Sequence, residues 1–180
     1  AVTGTVGNAT PGFGYATQGP AGNANLVKID LATGAGTVVG HTRYPMPGLA
    51  IADGGSICGG ALESFWKIDS ATGTLVHVAD NGCMTAMAGS GASADILGLG
   101  CDGNLYQIDS ATGLLSAPLL TGLASLMGGL AFDPSTAVVY FSAADGGPGT
   151  DILYGWFPSP GFPLVPKGSL GLGLPIGDIA

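Results

Sequence analysis

The chain has 180 residues, of which 34 are glycine and only 9% are charged, and its formal net charge is −8 at pH 7. This length is enough for one domain with a sizeable core, and a glycine-rich chain with a single glutamate favours tight hairpins and strands over helices. A basic stripe for nucleic acid is excluded, because only four basic residues are present and they are scattered, at Lys28, Arg43, Lys67 and Lys167.

One ten-residue pattern occurs three times, at 25–34, 64–73 and 104–113, and each copy contains Ile-Asp-x-Ala-Thr-Gly. The isoleucines of the copies are 39 and then 40 residues apart, which is the spacing of a supersecondary unit repeated around or along an axis. In the third copy, alternation places Tyr106 and Ile108 on one side and Leu105 on the other. We therefore expect a strand packed between two other sheets.

The Asp-x-Ala-Thr-Gly part of the pattern predicts a tight turn. An aspartate carboxylate accepts the backbone N–H groups of the next residues, and glycine takes the positive φ that closes a short hairpin. We expect the aspartates to be turn caps and not catalytic acids. These residues are Asp30, Asp69 and Asp109, with Gly34, Gly73 and Gly113 at the positive φ.

The flanking segments extend each unit to a four-stranded meander. Strands are predicted in the first unit at 2–6, 13–17, 26–29 and 36–39, and in the second at 48–52, 56–61, 65–68 and 74–78. Those of the third are 85–88, 95–99, 104–108 and 114–120. The fourth has 129–134, 138–142 and 152–156, after which 158–161 replaces the turn motif. Units of this length and connectivity are typical of β-propeller blades.

We therefore predict an all-β fold in a single domain over residues 1–180, a β-propeller of about four four-stranded antiparallel blades. It is either a small closed propeller or a segment of a larger one. The blades are placed roughly at 1–44, 45–83, 84–126 and 127–174, with a terminal strand at 175–180. Residues 174–180 resemble the inner-strand openings at 47–51 and 129–132, so we expect them to close the ring in the first blade. Completion by another subunit and membership of a longer propeller remain open alternatives.

The run L-[Y/W/V]-x-I-D-x-A-T-G, together with Gly-Leu-Ala-Phe-Asp-Pro at 129–134, resembles the blades of bacterial secreted β-propellers. These are broadly the proteins related to quinoprotein-like and YVTN-type repeats. The resemblance covers nearly the whole chain and specifies a blade, not an activity. It implies an extracellular binding scaffold, because such propellers commonly have that role. Some relatives are enzymes. No catalytic or cofactor residue of any relative has a matching motif here.

A search for catalytic and metal-binding motifs finds none that fits its required context. The G-x-G-x-x-G match at 98–103 is followed by a predicted strand instead of the helix that a dinucleotide site needs. With only His41 and His77, one chain cannot build a histidine-rich metal site. Calcium is the one cofactor left open, through oxygens at 102–104 and 145–151, but turns are the favoured interpretation of both segments.

In a meander, the loops between the second and third strands and the loops that lead to the next blade emerge on one face. We call this the loop face; it comprises residues 41–47, Glu63, 80–84, 101–104 and 145–151, whereas the Ala-Thr-Gly turns are expected on the opposite face. The loop face is varied in sequence, so any ligand is expected there. Its candidate binding residues are His41, Arg43, Tyr44, Glu63, Asp102, Asn104, Asp145 and Asp151.

The favoured hypothesis is a non-catalytic, secreted module that binds or assembles with a protein or glycan partner through the loop face. A second hypothesis is a hydrolase or lyase with a cation in the central channel, lined by Asp53, Asp95 and Asp133. A third is a structural component of a surface layer or sheath, which low charge and high glycine content favour. No membrane span is expected, because the uncharged run at 110–132 contains glycines and Pro118 and falls on predicted strands.

The three cysteines leave one thiol unpaired within the chain. Cys83 and Cys101 lie in two loops on the same face of the third unit, so we predict a disulfide between them. Cys58 belongs to a buried strand of the second unit and is predicted to be a free, packed thiol. A composition low in Lys and Glu and high in Gly, Ala, Ser and Thr is typical of an exported protein, so we expect an extracellular or periplasmic location. The disulfide should form if that compartment is oxidising.

Overall fold

The computed structural model describes residues 11–52, 54–90, 95–123, 129–144, 151–157 and 163–169, with the backbone alone at 143–144, 151 and 168–169. Within these residues there are fourteen strands in four antiparallel sheets, and no helix. Each sheet is a meander in which consecutive strands pair. The all-β prediction is therefore confirmed.

The first two sheets contain seven strands. The first sheet consists of β1 (Phe13–Gln18), β2 (Asn25–Asp30) and β3 (Gly36–His41). The second consists of β4 (Gly48–Ile51), β5 (Ile57–Ala61), β6 (Ser64–Ile68) and β7 (Leu75–Ala79). Every one of these strands overlaps a predicted strand. The strand predicted at 2–6 lies outside the described residues.

The third and fourth sheets contain the other seven strands. The third sheet has β8 (Met84–Gly89), β9 (Asp95–Gly100) and β10 (Leu105–Asp109). The fourth has β11 (Leu130–Asp133), β12 (Val138–Ala144), β13 (Asp151–Trp156) and β14 (Val165–Ser169). The strand β14 was not predicted, because it contains Pro166 and Gly168 and lacks an alternating apolar pattern. Proline is tolerated there because, among the described strands, β14 pairs with β13 alone. The terminal strand predicted at 175–180 lies outside the described residues.

The continuous strand predicted at 114–120 is wrong. In its place, two isolated bridges pair Leu115 with Ile108 and Leu120 with Leu105. Pro118 lies between the bridges and has no backbone N–H, so it cannot contribute to a regular ladder. Leu119 resumes the pairing by donating its N–H to the carbonyl oxygen of Leu105, at 2.8 Å.

The three Asp-x-Ala-Thr-Gly turns have the same geometry, as predicted. In each, one aspartate oxygen accepts the N–H groups of the second and third following residues at 2.7–3.0 Å. In each, the glycine N–H donates to the aspartate carbonyl at 2.7 or 2.8 Å. The φ angles of Gly34, Gly73 and Gly113 are 73°, 72° and 72°. The sequence repeat therefore encodes one turn used three times.

Three hydrophobic clusters lie between neighbouring sheets. Leu105 is fully buried in the cluster between the third and fourth sheets, whereas Ile108 is buried between the second and third, with Tyr106 packed against that cluster. The remaining cluster joins the first and second sheets around Leu26 and Ile68. Side chains from the repeated strand thus reach the sheets on both sides, as the alternation predicts.

Each turn of the second and third units packs against the preceding sheet. The backbone of Thr72 and Gly73 lies so close to Gly40, on the outer strand β3, that a side chain on Gly40 would overlap the carbonyl oxygen of Thr72. Gly113 occupies the equivalent place against β7, and a Cβ on it would lie 2.6 Å from that of Ala79. The side-chain amide of Asn81 also donates to the carbonyl of Gly113, at 3.4 Å. The turns of the second and third units therefore also serve as joints between sheets.

The joint can be tested with two matched variants, Gly113→Ala and Gly34→Ala. Both glycines have nearly the same positive φ, but no atom lies within 4 Å of a Cβ on Gly34. Gly34→Ala should cost about 1 kcal/mol of unfolding free energy through backbone strain alone. Gly113→Ala should cost about 1–3 kcal/mol more, because the added methyl group overpacks the joint. Urea unfolding of both variants measures the difference, and equal losses would contradict a packed joint.

Candidate functional site

Loops from neighbouring sheets meet through backbone hydrogen bonds on the loop face. Gly22 donates to the carbonyl of Arg43 at 2.6 Å, which joins the β1–β2 and β3–β4 loops. Gly82 donates to the carbonyl of Glu63 at 3.0 Å, and Cys101 donates to that of Cys83 at 3.0 Å. The loops that the meander places on one face are therefore in contact with one another.

One cavity of this face, which we call the aromatic cleft, has a volume of about 640 Å³. It opens over the joint between the first and second sheets. Three of the predicted site residues, His41, Arg43 and Tyr44, lie together in its wall. The full lining is Gly40, His41, Thr42, Arg43, Tyr44, Trp66, Thr72, Thr74 and Leu75.

Two aromatic rings form the apolar part of the aromatic cleft. The ring centroids of Tyr44 and Trp66 are 6.3 Å apart, with an angle of 37° between the planes. The indole N–H of Trp66 donates to the carbonyl oxygen of Ala61 at 3.2 Å, so it is already used within the protein. His77 contacts Trp66 edge to face at 5.0 Å between centroids and does not line the cleft. The packing fixes both rings in place while leaving part of each exposed.

Arg43 is held in an unusual backbone conformation. Its φ of 67° lies in the left-handed region, which few residues other than glycine adopt. Two hydrogen bonds hold it there: its N–H donates to the carbonyl of Ala24 at 3.2 Å, and its carbonyl accepts from Gly22. The side chain is exposed, and its guanidinium makes no ion pair with the described residues. This arrangement places a free cation at the cleft.

Ser64, His77 and Asp80 lie together beside Trp66, but they do not form a catalytic triad. Asp80 accepts from both partners, at 2.8 Å from Ser64 Oγ and 2.8 Å from His77 Nε2. The hydrogen bonds from His77 and then Ser64 lower the pKa of Asp80. A serine nucleophile needs a histidine as its direct base, whereas this hydroxyl donates to the carboxylate. The group therefore supports structure.

Glu63 lies at the tip of the hairpin between β5 and β6. It and Leu62 both have positive φ, 63° and 53°, as a two-residue hairpin turn requires. Glu63 is exposed and borders a smaller cavity of about 130 Å³, which it shares with Tyr44, Cys83 and Met84 among others. Tyr44 lines both this cavity and the aromatic cleft.

Asp102 lines a third cavity, of about 270 Å³, which also borders Cys83, Met84 and Tyr106. Asp102 accepts the Tyr106 hydroxyl at 2.5 Å and the Asn104 side-chain amide at 2.9 Å. The tyrosine hydrogen bond is the main cause that lowers the pKa of Asp102, and it raises the pKa of Tyr106. The hydrogen bond from its side-chain amide links Asn104 to Asp102 at this cavity. The carboxylate is thus satisfied by protein donors.

The other carboxylates weighed from the sequence are placed as follows. Asp133 caps the turn between β11 and β12 by accepting the hydroxyl groups of Ser135 and Thr136, at 2.7 and 2.6 Å. Asp95 accepts the Gln107 amide at 2.5 Å. Asp53 and Asp145 lie outside the described residues, as does the side chain of Asp151. Among the described residues, no group of three or more His, Cys, Asp or Glu could hold a metal ion.

Both predictions about the cysteines are confirmed. A disulfide joins Cys83 to Cys101 with a Cα–Cα distance of 5.4 Å, and it links the loop entering the third sheet to the β9–β10 loop. Cys58 is a buried free thiol. Burial raises the pKa of Cys58 to about 11, against the smaller opposing effect of Lys67.

Sequence reasoning missed Trp66, Thr72 and Leu75 as parts of the aromatic cleft. They belong to two strands and a turn of the second unit, whereas the candidate residues came from predicted loops. One signal was available: Trp66 is the repeat position that holds Val27 in the first unit and Tyr106 in the third. A position whose side chain differs in every unit does not have the same role in each of them.

Several crystal structures are similar to this one. A chain of a nidogen/laminin complex gives a TM-score of 0.66 at 12% identity, covering 89% of this chain and 64% of that one. TolB from Acinetobacter baumannii gives 0.60 at 14% identity, covering 92% and 44%. A quinoprotein alcohol dehydrogenase-like protein from Bacteroides thetaiotaomicron gives 0.55 at 15% identity, covering 87% and 44%.

The fold is a β-propeller. At these identities the likeness shows the fold alone, and the chain spans less than two thirds of the length of the three proteins. No protein-family model matches the sequence, and no curated protein matches it. Among the described residues, no helix is long and apolar enough to cross a membrane.

Removal of the disulfide by Cys83→Ser with Cys101→Ser should lower the unfolding free energy by about 3 kcal/mol. The bond closes a loop of 18 residues, and reopening it restores conformational entropy to the unfolded chain. Urea unfolding with and without dithiothreitol measures this loss. The reductant should destabilise the wild type and leave the double variant unchanged; a wild type that is indifferent to the reductant would contradict the prediction.

The variant Tyr106→Phe should raise the pKa of Asp102 towards the usual aspartate value, because it removes the main hydrogen bond that lowers it. Because the pKa of Asp102 is lower in the folded chain than in the unfolded chain, its carboxylate stabilises the fold at pH values above the unfolded pKa of about 3.9. This stabilisation is lost as the pH falls through the folded-state pKa. NMR titration of the Asp102 carboxyl gives the shift. An unchanged pKa would show that the tyrosine bond is not its cause.

Proposed function

We propose that this chain is a non-catalytic, secreted binding or assembly module whose loop face contacts a macromolecular partner, protein or glycan. The observation that supports this is continuity among three cavities of the loop face. Tyr44 is common to the aromatic cleft and the cavity at Glu63, while Cys83 and Met84 are common to that cavity and the one at Asp102. Adjoining depressions thus cross the first three sheets, as an extended partner requires.

The chemistry of the described residues favours binding over catalysis. Asp95, Asp102 and Asp133 each accept hydrogen bonds from neutral protein groups, and Ser64 donates to a carboxylate instead of a histidine. Function in β-propellers resides in the loops that the blades display, so cavities on the loop face are the reasonable place for a partner.

The disulfide supports a location outside the cytoplasm, and one structural neighbour supports a protein partner. The Cys83–Cys101 disulfide requires an oxidising compartment to form and persist. One neighbour of this fold, nidogen, was crystallised in complex with laminin, which gives an example of such a propeller with a protein partner. The resemblance of the repeat to bacterial secreted propellers also supports a location outside the cytoplasm.

We further propose that the four sheets are blades of one domain, at about 1–44, 45–83, 84–126 and 127–174.

Two variants that change the net charge equally test the loop face. Glu63→Lys reverses the only glutamate, at its exposed tip, and changes the net charge by two. Ala32→Lys with Ala111→Lys makes the same charge change at exposed positions of the Asp-x-Ala-Thr-Gly turns. Each protein is immobilised, exposed to the extracellular fraction of its source, and the affinity of the captured partner is then measured in isolation.

The expected result is at least a tenfold loss of affinity for Glu63→Lys and little change for the turn variant. A rim charge reversal should mainly alter the association rate and its salt dependence. Equal losses in the two variants would show that total charge, not the loop face, controls binding. A partner that is chemically altered by the protein would overturn the non-catalytic role.

A further inference from the structure

The joints on either side of the second sheet are equivalent in the repeat but differ in chemistry. Tyr44 and Cys83 are 39 residues apart, and Trp66 and Tyr106 are 40 apart, which are the repeat offsets. The first joint holds two aromatic rings beside Arg43, whereas the second holds a disulfide and the carboxylate of Asp102. The aromatic cleft is therefore a specialised feature of one joint and not a by-product of the repeat.

The apolar wall of the aromatic cleft offers ring surfaces. Tyr44 and Trp66 are both half-buried and held at a fixed mutual tilt. Large, rigid aromatic side chains provide contact area at a low cost in conformational entropy. Because the indole N–H already donates to Ala61, Trp66 presents only its ring to a ligand. Such rings suit flat, weakly apolar faces, including the C–H faces of sugar rings.

Three side chains of the aromatic cleft offer hydrogen-bond donors to a ligand. Arg43 contributes a guanidinium that makes no ion pair with the described residues, and the hydroxyl of Tyr44 has no partner among them. His41 adds an exposed imidazole. A guanidinium presents five donors in a planar fork that matches a carboxylate. The ligand that suits this wall is rich in acceptors and carries a negative charge.

A peptide fits the aromatic cleft less well than a saccharide. An extended peptide binds by main-chain pairing along a free strand edge. The aromatic cleft instead lies over the face of β3, where the backbone of Thr72 and Gly73 packs on Gly40. Recognition of a proline-rich segment uses aromatic grooves, and a free indole N–H would help to fix its carbonyl groups, yet that of Trp66 is engaged. Neither obstacle affects a sugar ring that stacks on the aromatic faces and accepts hydrogen bonds from Arg43 and Tyr44.

We propose that the aromatic cleft binds a saccharide that carries a carboxylate group, a uronic acid being the simplest case. The inference rests on the proposed function and assigns a ligand class to one part of the loop face. The cleft volume of about 640 Å³ lies within the range of small-ligand sites. The sugar rings pack on Tyr44 and Trp66, while the carboxylate pairs with the guanidinium of Arg43.

The test uses trigalacturonate and its methyl ester, which keep the same sugar rings and differ in charge. Isothermal titration calorimetry should show binding of trigalacturonate and at least tenfold weaker binding of the ester. Arg43→Gln should abolish this difference, and Trp66→Phe should weaken both ligands. Lys67→Gln is the matched control, because it also removes one positive charge and Gln107 holds the equivalent position in the third unit. It should leave both affinities unchanged.

An acidic peptide, Glu-Tyr-Glu, provides the other arm of the experiment. The proposal is overturned if neither saccharide binds, if Arg43→Gln and Lys67→Gln weaken trigalacturonate equally, or if the peptide binds more tightly than trigalacturonate. These results are separable from the wider proposal, because Glu63 is outside the lining of the aromatic cleft. A captured partner that still depends on Glu63 would preserve the binding role of the loop face while removing the saccharide.

Discussion

The structure depends on close contact between the Asp-x-Ala-Thr-Gly turns of the second and third units and the outer strand of the sheet before each. The aspartate carboxylate fixes the turn by accepting two N–H groups, and the glycine lets the chain approach without a side chain between the two backbones. Gly113 against Ala79 and Gly73 against Gly40 are two instances of this contact. One local motif therefore specifies both a hairpin and the way in which neighbouring blades meet.

The same contact gives the candidate site its position. Thr72 and Gly40 lie in the joint between the first and second sheets, and both line the aromatic cleft. The loop that follows the outer strand then decides what covers the joint: Arg43 and Tyr44 in one case, the Cys83 disulfide in the other. A repeated scaffold is thus diversified by residues outside the repeat, which is how propeller and other repeat folds acquire individual binding surfaces.

Most strands, the turn geometry and the disulfide could be predicted because each depends on a local pattern or on repeat topology. The break at Pro118 was also visible as a proline, but its outcome depended on how Leu119 resumes pairing with Leu105. The strand β14 has no alternating pattern and forms because β13 offers it a free edge. Trp66 could not be assigned to the cleft from the sequence, since it meets Tyr44 only after two sheets pack together. The engagement of Asp102 by Tyr106 likewise depends on the folded hairpin.

The most direct test of the joint is a double-mutant cycle that combines Ala79→Gly with Gly113→Ala. A methyl group on residue 113 would lie 2.6 Å from the Cβ of Ala79, and removal of that Cβ makes room for it. Urea unfolding should therefore show that Gly113→Ala costs less in the Ala79→Gly background, with a coupling energy of about 1 kcal/mol or more. Identical costs in the two backgrounds would mean that the turn does not pack on the preceding sheet, and would contradict the account.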